Sequence, residues 1–161
     1  MLTVTYRYRE ASRVLYTRNT FEFSDPYTLL TFSATIPAIS LHSITSLSIN
    51  LRPELYTLHA ESFGFNGQIL GRKMQDEWPR MWAVIAQMYG LEEIRVRFRF
   101  LRDRIIGWGE EELLRPLWLV RRPVKVFAVD SKNAFGFKDE ETAERAPFKL
   151  LGSEEAQEGK S

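Results

Sequence analysis

The composition of this 161-residue chain suits one folded domain, because 44% of its residues are hydrophobic and 13% are aromatic. Its 22 basic and 21 acidic side chains leave a formal net charge of +1, without the basic excess that is typical of nucleic-acid-binding domains. The absence of cysteine excludes disulfide scaffolds and cysteine nucleophiles, and no apolar run approaches the ~18 residues of a membrane span. We therefore expect a protein that acts without a cofactor and away from membranes.

The first ten residues, MLTVTYRYRE, lack the pattern of a secretory signal. Such a signal needs about seven or more consecutive apolar residues after a basic start. Here Arg7, Arg9 and Glu10 interrupt the stretch. We expect a cytoplasmic or nuclear location.

The next segment predicts a helix, a strand and a second helix. Phe21 and Phe23 alternate with polar neighbours, which is typical of a strand. Asp25 can cap the helix that follows, and Pro26 fits its first turn. The predicted ranges are 8–16 for the first helix, 19–23 for the strand and 26–34 for the second helix.

A strict alternation predicts a half-buried strand within residues 41–51, ended by Pro53. Residues 53–75 contain several glycines and little periodicity, so we expect a long loop insertion there. The apolar positions of the strand are Leu47, Ile49 and Leu51, and the polar positions are Ser46, Ser48 and Asn50.

The clearest helix is predicted over residues 76–89, with Asp76 as its cap. Its apolar residues recur at three- and four-residue steps, which indicates a buried face. The stretch 91–100 follows at once and carries the strongest strand pattern in the chain. The buried positions that these two patterns predict are Trp78, Met81, Trp82, Ile85 and Met88 on the helix, and Ile94, Val96, Phe98 and Phe100 on the strand.

The last predicted elements are a helix over residues 110–120, which Pro116 would shorten, and a strand over 124–129. From Asp130 onward the chain becomes polar and acidic, which predicts a disordered tail over 130–161. The expected organisation is one domain at 1–129, including the insertion at 53–75, followed by this tail.

The order of these elements predicts an α/β fold with a small parallel sheet, because strands separated by helices return in the same direction. Two strands carry polar residues on one side, which favours helices mainly on the other face, as in an irregular leucine-rich-repeat-like solenoid. The alternative is an ordinary α/β sandwich whose second face is covered by residues 53–75.

Residues 8–37 resemble a family of filamentous-fungal proteins of unknown function with F-box-like and leucine-rich-repeat-like members. The family shares a signature of the form Y-x-E-A-x-x-x-L-Y-x-x-N-T-F-x-F, and the later ITSLSINL and GLEEIRVRF stretches are also similar to it. The signature positions here are Tyr8, Glu10, Ala11, Leu15, Tyr16, Asn19, Thr20, Phe21 and Phe23.

In that family an F-box-like helical segment often precedes the signature and ends in a Thr-Cys-Arg-Gln-type stretch. Here Val4, Thr5 and Tyr6 stand where Cys-Arg-Gln would be. We therefore expect this sequence to lack the F-box-like part. The resemblance then implies neither an adaptor role in ubiquitin-ligase assembly nor a set of catalytic residues.

Motifs that carry catalysis are not found. His42 and His59 are 17 positions apart, without the spacing of a metal site, and we interpret them as loop or solvent histidines. No nucleophile elbow, Walker or dinucleotide motif occurs. We predict no metal, no catalytic residue and no enzymatic activity.

The candidate binding residues are arginines that alternate along the strand 91–100. Arg95, Arg97 and Arg99 would point to one face, about 6.5–7 Å apart. Such a row can hold an acidic peptide, a phosphate or an RNA backbone. The alternative is that the arginines are solvated, or neutralised by Glu93 and by the acidic tail. The residues expected beside them in a parallel sheet are Ser48, Asn50 and Arg52.

Three functions remain open at this point. The first is a non-catalytic interaction module that binds an unknown protein partner on the polar strand face, with self-association through an exposed sheet edge as a further possibility. The second is binding of RNA or a phosphate ligand on the arginine row. The third is an enzyme of unrecognised type, which would need a pocket near residues 53–75.

Overall fold

Five parallel strands form one sheet, in which every strand pairs with the next one along the chain. The computed structural model describes residues 11, 13–51, 67–99, 110–130 and 144–151, with the backbone alone at 67–74, 110 and 111. The predicted α/β class with a parallel sheet is confirmed. The strands are β1 (Thr20–Phe23), β2 (Ser46–Leu51), β3 (Glu93–Phe98), β4 (Val126–Asp130) and β5 (Lys149–Leu151).

In the described part of the chain, one helix precedes β1 and further helices connect β1 to β4. They are α1 (13–18), α2 (Pro26–Thr35), α3 (Ala38–Ser43), α4 (Gly67–Gln87) and α5 (Glu110–Leu114), which continues into a 3₁₀ helix (Arg115–Leu119). The change to 3₁₀ geometry comes one residue before Pro116, which lacks the N–H that an α-helix interior needs. The predicted shortening at this proline is confirmed. None of the helices within the described ranges combines the length and the apolarity that crossing a membrane requires.

The start of α2 follows from its cap. The side chain of Asp25 accepts hydrogen bonds from the backbone N–H of Thr28 at 2.7 Å and from its hydroxyl at 2.7 Å. Pro26 occupies the first turn, where its missing N–H costs nothing. Both sequence predictions at this helix end are confirmed.

The core lies between α4 and one face of the sheet. Trp78 and Trp82 are completely buried, and their rings lie 5.9 Å from Phe98 and 5.8 Å from Phe127. The indole N–H of Trp78 donates to the carbonyl of Leu113 at 3.0 Å, which ties α5 to α4. The predicted apolar stripe therefore covers the sheet, as the period of three to four residues indicated.

The same face also receives α2. The ring of Phe32 lies 5.5 Å from Phe21 and 5.4 Å from Phe23, and α2 packs against α4. Right-handed crossovers between neighbouring parallel strands all fall on one face when the strand order never reverses. The helix contacts found here agree with this topological rule. Residues 52–66, on which the sandwich alternative depends, lie outside the described residues.

Two helix predictions need correction. The helix α3 covers Ala38–Ser43, so the strand predicted within 41–51 is wrong for 41–43. None of the side chains of α3 is buried, and no apolar stripe in its sequence indicates a helix. The helix α4 begins at Gly67 rather than at Asp76, so the loop predicted over 53–75 is wrong for 67–75. Isolated glycines argue against a helix in sequence, but packing overrides so weak a propensity.

The acidic tail also needs correction in part. Residues 144–151 belong to the folded structure, and Lys149–Leu151 form the fifth strand, parallel to β4. Phe148 is buried, with its ring 5.4 Å from Phe127 and 6.4 Å from Trp118. The predicted disorder is therefore wrong for this segment, because one aromatic anchor returns it to the sheet. The remainder of the tail lies outside the described residues.

Candidate interaction face

The second face of the sheet, called the polar face below, carries the polar side chains that alternate with the core residues. Their neighbours follow from the strand register, since paired residues on adjacent strands point to the same face. Ser48 pairs with Arg95, and Asn50 pairs with Arg97. The polar residues of this face are Thr20, Glu22, Ser46, Ser48, Asn50, Glu93, Arg95, Arg97, Asp130 and Lys149, and it also carries Val126, Ala128 and Leu151.

Arg95 has a partner within its own strand. Its Nε donates to Oε1 of Glu93, and the second carboxylate oxygen of Glu93 accepts from the hydroxyl of Ser46 at 3.4 Å. The hydroxyl of Ser46 also lies 3.0 Å from that of Thr20. The neutralisation by Glu93 that the sequence left open is therefore found at Arg95. Because half of the Arg95 side chain is exposed, water screens this ion pair, which therefore contributes little to stability.

Arg97 lies between two buried polar side chains. The register places Asn50 on one side of it and Asp130 on the other, and each of these two residues is only 6% exposed. The Oδ1 atoms of Asn50 and Asp130 are both buried without a hydrogen-bond partner. An unsatisfied buried acceptor typically costs about 1–3 kcal/mol. The row Asn50–Arg97–Asp130 therefore combines a cation with acceptors that an added donor would stabilise.

Asn50 is held in place on its other side. Its Nδ2 donates to Oε1 of Glu22 at 3.5 Å, so the side chain bridges from β2 to β1. The free Oδ1 belongs to the same amide. The amide of Asn50 therefore has a hydrogen-bond partner for its Nδ2, which is Glu22, and none for its Oδ1.

Of the two remaining predicted residues, the structure describes Arg99 alone. Arg99 follows β3 and is exposed, and its backbone N–H donates to the carbonyl of Leu51 at 3.0 Å, which extends the ladder by one residue. Arg52 lies outside the described residues. The structure thus brings together Arg95, Arg97, Ser48 and Asn50 of the six predicted residues.

Sequence reasoning missed four polar residues of this face, Thr20, Glu22, Asp130 and Lys149. The alternation of Glu22 with Phe21 and Phe23 contained a usable signal, since it marks the polar side of β1. Asp130 was assigned to the tail, and only the pairing of β4 with β3 places it beside Arg97. As a result the face carries both signs of charge rather than a row of cations.

The predicted histidines do not form a site. His42 lies in α3, so its interpretation as a loop histidine is wrong. The residue is half-buried, its ring lies 5.2 Å from that of Tyr89, and its Nδ1 is buried without a partner. His59 lies outside the described residues. Among the side chains that the structure describes, no group of three or more His, Cys, Asp or Glu could hold a metal ion.

Comparisons with known proteins place the chain in a family without a described activity. No curated protein and no solved structure is significantly similar to it. A family model described as "Domain of unknown function (DUF7730)" matches residues 1–133, which include strands β1 to β4 and both sides of the Asn50–Arg97–Asp130 row. The predicted membership of a family of unknown function is confirmed: the chain belongs to the DUF7730 family.

Proposed function

We propose that this chain is a non-catalytic protein-interaction module that binds a protein partner through the polar face. The observation that carries the proposal is the Asn50–Arg97–Asp130 row, in which the strand register places a half-buried arginine between two buried residues whose Oδ1 atoms lack hydrogen-bond partners. A partner that opens this row locally, donates hydrogen bonds to these acceptors and accepts from Arg97 would relieve their unfavourable burial. Such mixed donor and acceptor groups are typical of another polypeptide surface.

The charge pattern favours a protein over a nucleic acid. Glu93 pairs with Arg95, and Asp130 lies beside Arg97 in the register, so cations on this face alternate with carboxylates. A phosphate backbone gains affinity from uncompensated cations, whose counterions it displaces. Binding of RNA or a phosphate ligand on the arginine row is therefore the weaker alternative.

The proposal includes a leucine-rich-repeat-like arrangement and a filamentous-fungal origin. The first is supported by the unreversed order of five parallel strands, because right-handed crossovers then place the connecting helices on one face of the sheet. The second is supported by the signature that extends from Tyr8 to Phe23. A role in the cytoplasm or nucleus belongs to the same proposal.

The test is affinity purification from a lysate of the source organism, with the full chain as bait and quantification by mass spectrometry. The variant Arg95→Ser/Arg97→Ser/Arg99→Ser should lose one or more proteins that the wild-type chain retains. The matched control removes three exposed arginines from helices, by Arg13→Ser/Arg80→Ser/Arg115→Ser, and should retain them. Circular dichroism of both variants establishes that they remain folded.

Two results would overturn the proposal. One is that the polar-face variant and the helix control retain the same set of proteins, since binding would then not depend on the polar face. The other is binding of a single-stranded RNA oligonucleotide whose affinity falls steeply with salt and is lost in the variant Arg95→Ser/Arg97→Ser/Arg99→Ser. Fluorescence anisotropy at several salt concentrations measures the second result.

A further inference from the structure

A second surface lies at the end of the sheet where the strands begin. Ile39 and Tyr89 are 78% and 74% exposed, although both are large apolar or aromatic residues. His42 joins them, because it lies one helical turn after Ile39 in α3 and its ring is 5.2 Å from that of Tyr89. We call the group Ile39, His42, Tyr89 and Arg122 the Tyr89 corner.

The backbone presents Tyr89 in a fixed position. A Cβ on the next residue, Gly90, would lie 2.2 Å from the carbonyl oxygen of His42, so the two segments are in direct backbone contact. Immediately after this contact, the N–H groups of Glu92 and Glu93 both donate to the carbonyl of Thr45, at 2.8 and 3.0 Å. The exposed ring therefore projects from a well-supported turn rather than from a free loop.

Arg122 adds a cation without an acceptor. Its Nε, Nη1 and Nη2 atoms are buried, and none of them has a hydrogen-bond partner. Burial lowers the pKa of Arg122, while its electrostatic interaction with Tyr89 acts in the opposite direction. The carboxylate of Glu92 is engaged by Lys125 at 2.7 Å. A desolvated guanidinium that lacks an acceptor is unfavourable, and a carboxylate satisfies its fork geometry best.

We propose that the Tyr89 corner docks a peptide segment of a partner protein, which places a carboxylate against Arg122 and an aliphatic side chain against Ile39 and Tyr89. Tyrosine and arginine are enriched among the residues that dominate protein binding. Ile39 adds an exposed aliphatic side chain one helical turn from His42, whose ring lies beside Tyr89. In this proposal the largely exposed Tyr89, which interacts electrostatically with Arg122, turns aside as the carboxylate enters. This surface is separate from the polar face and goes beyond the proposed function.

The experiment is a selection of random peptides displayed on phage, on the immobilised full chain. We expect enriched peptides to place Asp or Glu near an aliphatic residue. For a synthetic peptide with the enriched sequence, affinity measured by fluorescence anisotropy should fall at least about tenfold with Tyr89→Ser, Ile39→Ser and Arg122→Met. Replacing the peptide's acidic residue by its amide should have the same effect.

Matched controls keep the result specific. The variant Val14→Ser removes another half-exposed apolar residue, on α1, and should leave peptide affinity unchanged. The variant Arg95→Ser/Arg97→Ser/Arg99→Ser should also leave it unchanged, so failure on the polar face and failure here can be told apart. The proposal is overturned by an absence of enrichment, by enriched peptides without a carboxylate, or by full affinity for Tyr89→Ser and Arg122→Met.

Discussion

Gly90 and His42 are in backbone contact, because a Cβ on Gly90 would lie 2.2 Å from the carbonyl oxygen of His42 and 3.1 Å from that of Ile44. No side chain fits between them. The contact joins the segment before β2 to the turn before β3, and so fixes how these two strands enter the sheet.

We therefore predict that Gly90→Ala destabilises the chain by at least about 1–3 kcal/mol, since the added methyl group meets backbone that cannot rotate away. Urea unfolding followed by circular dichroism measures this change. The neighbouring variant Tyr89→Ala removes a largely exposed ring and should change the stability by less than about 0.5 kcal/mol. Equal stability of Gly90→Ala and the wild-type chain would contradict the contact.

The two buried tryptophans of α4 offer a matched comparison. Trp78 donates its indole N–H to the carbonyl of Leu113, whereas the indole N–H of Trp82 is buried without a partner. Trp78→Phe should therefore be more destabilising than Trp82→Phe by about 1 kcal/mol, because only the first removes a hydrogen bond. Thermal and urea unfolding of the two variants test the difference, and the reverse order would show that the assignment of donors is incorrect.

Arg95 and Arg97 should differ in their effect on folding. Arg95 pairs with Glu93 in a half-exposed position, so Arg95→Met should change the free energy of unfolding by less than about 1 kcal/mol. Arg97→Met leaves the buried carboxylate of Asp130 without its neighbouring cation and should cost about 1 kcal/mol or more. Denaturant titration of both variants decides the point. Similar losses would mean that Arg97 does not offset the charge of Asp130.

Replacing Arg122 should stabilise the chain, whereas replacing Arg97 should destabilise it. Burial lowers its pKa, so the folded chain disfavours the charged guanidinium relative to the unfolded chain. Arg122→Met keeps most of the side-chain volume and removes the charge, and we expect its melting temperature to rise. The folded pKa lies below the unfolded one, so the destabilisation is lost only near the high pH at which the guanidinium releases its proton. The gain should be constant across the neutral range, and a lower melting temperature would contradict the absence of an acceptor.

The extent of sequence-based prediction differs between elements. The positions of β2 and β3 follow from strict alternation, and the buried face of α4 follows from Trp78 and Trp82 at helical spacing. The prediction that β2 is half-buried is wrong, because Ser48 and Asn50 on its polar side are buried as well. The helix α3 and the strand β5 are too short to repeat such a pattern. They form because neighbouring segments supply their contacts, which a local window of sequence does not contain.

By itself the sequence determined which residues share a face within each element, and hence the α/β class and the row of arginines, because side-chain direction repeats locally along a helix or strand. Only the tertiary structure decided that Asp130 and Asn50 lie on either side of Arg97, and that Gly90 meets His42. These contacts depend on which strand lies beside which and in what register. Register is a property of the whole sheet, set by the joint burial of its apolar face, so the charges that alternate on the other face are a consequence of packing.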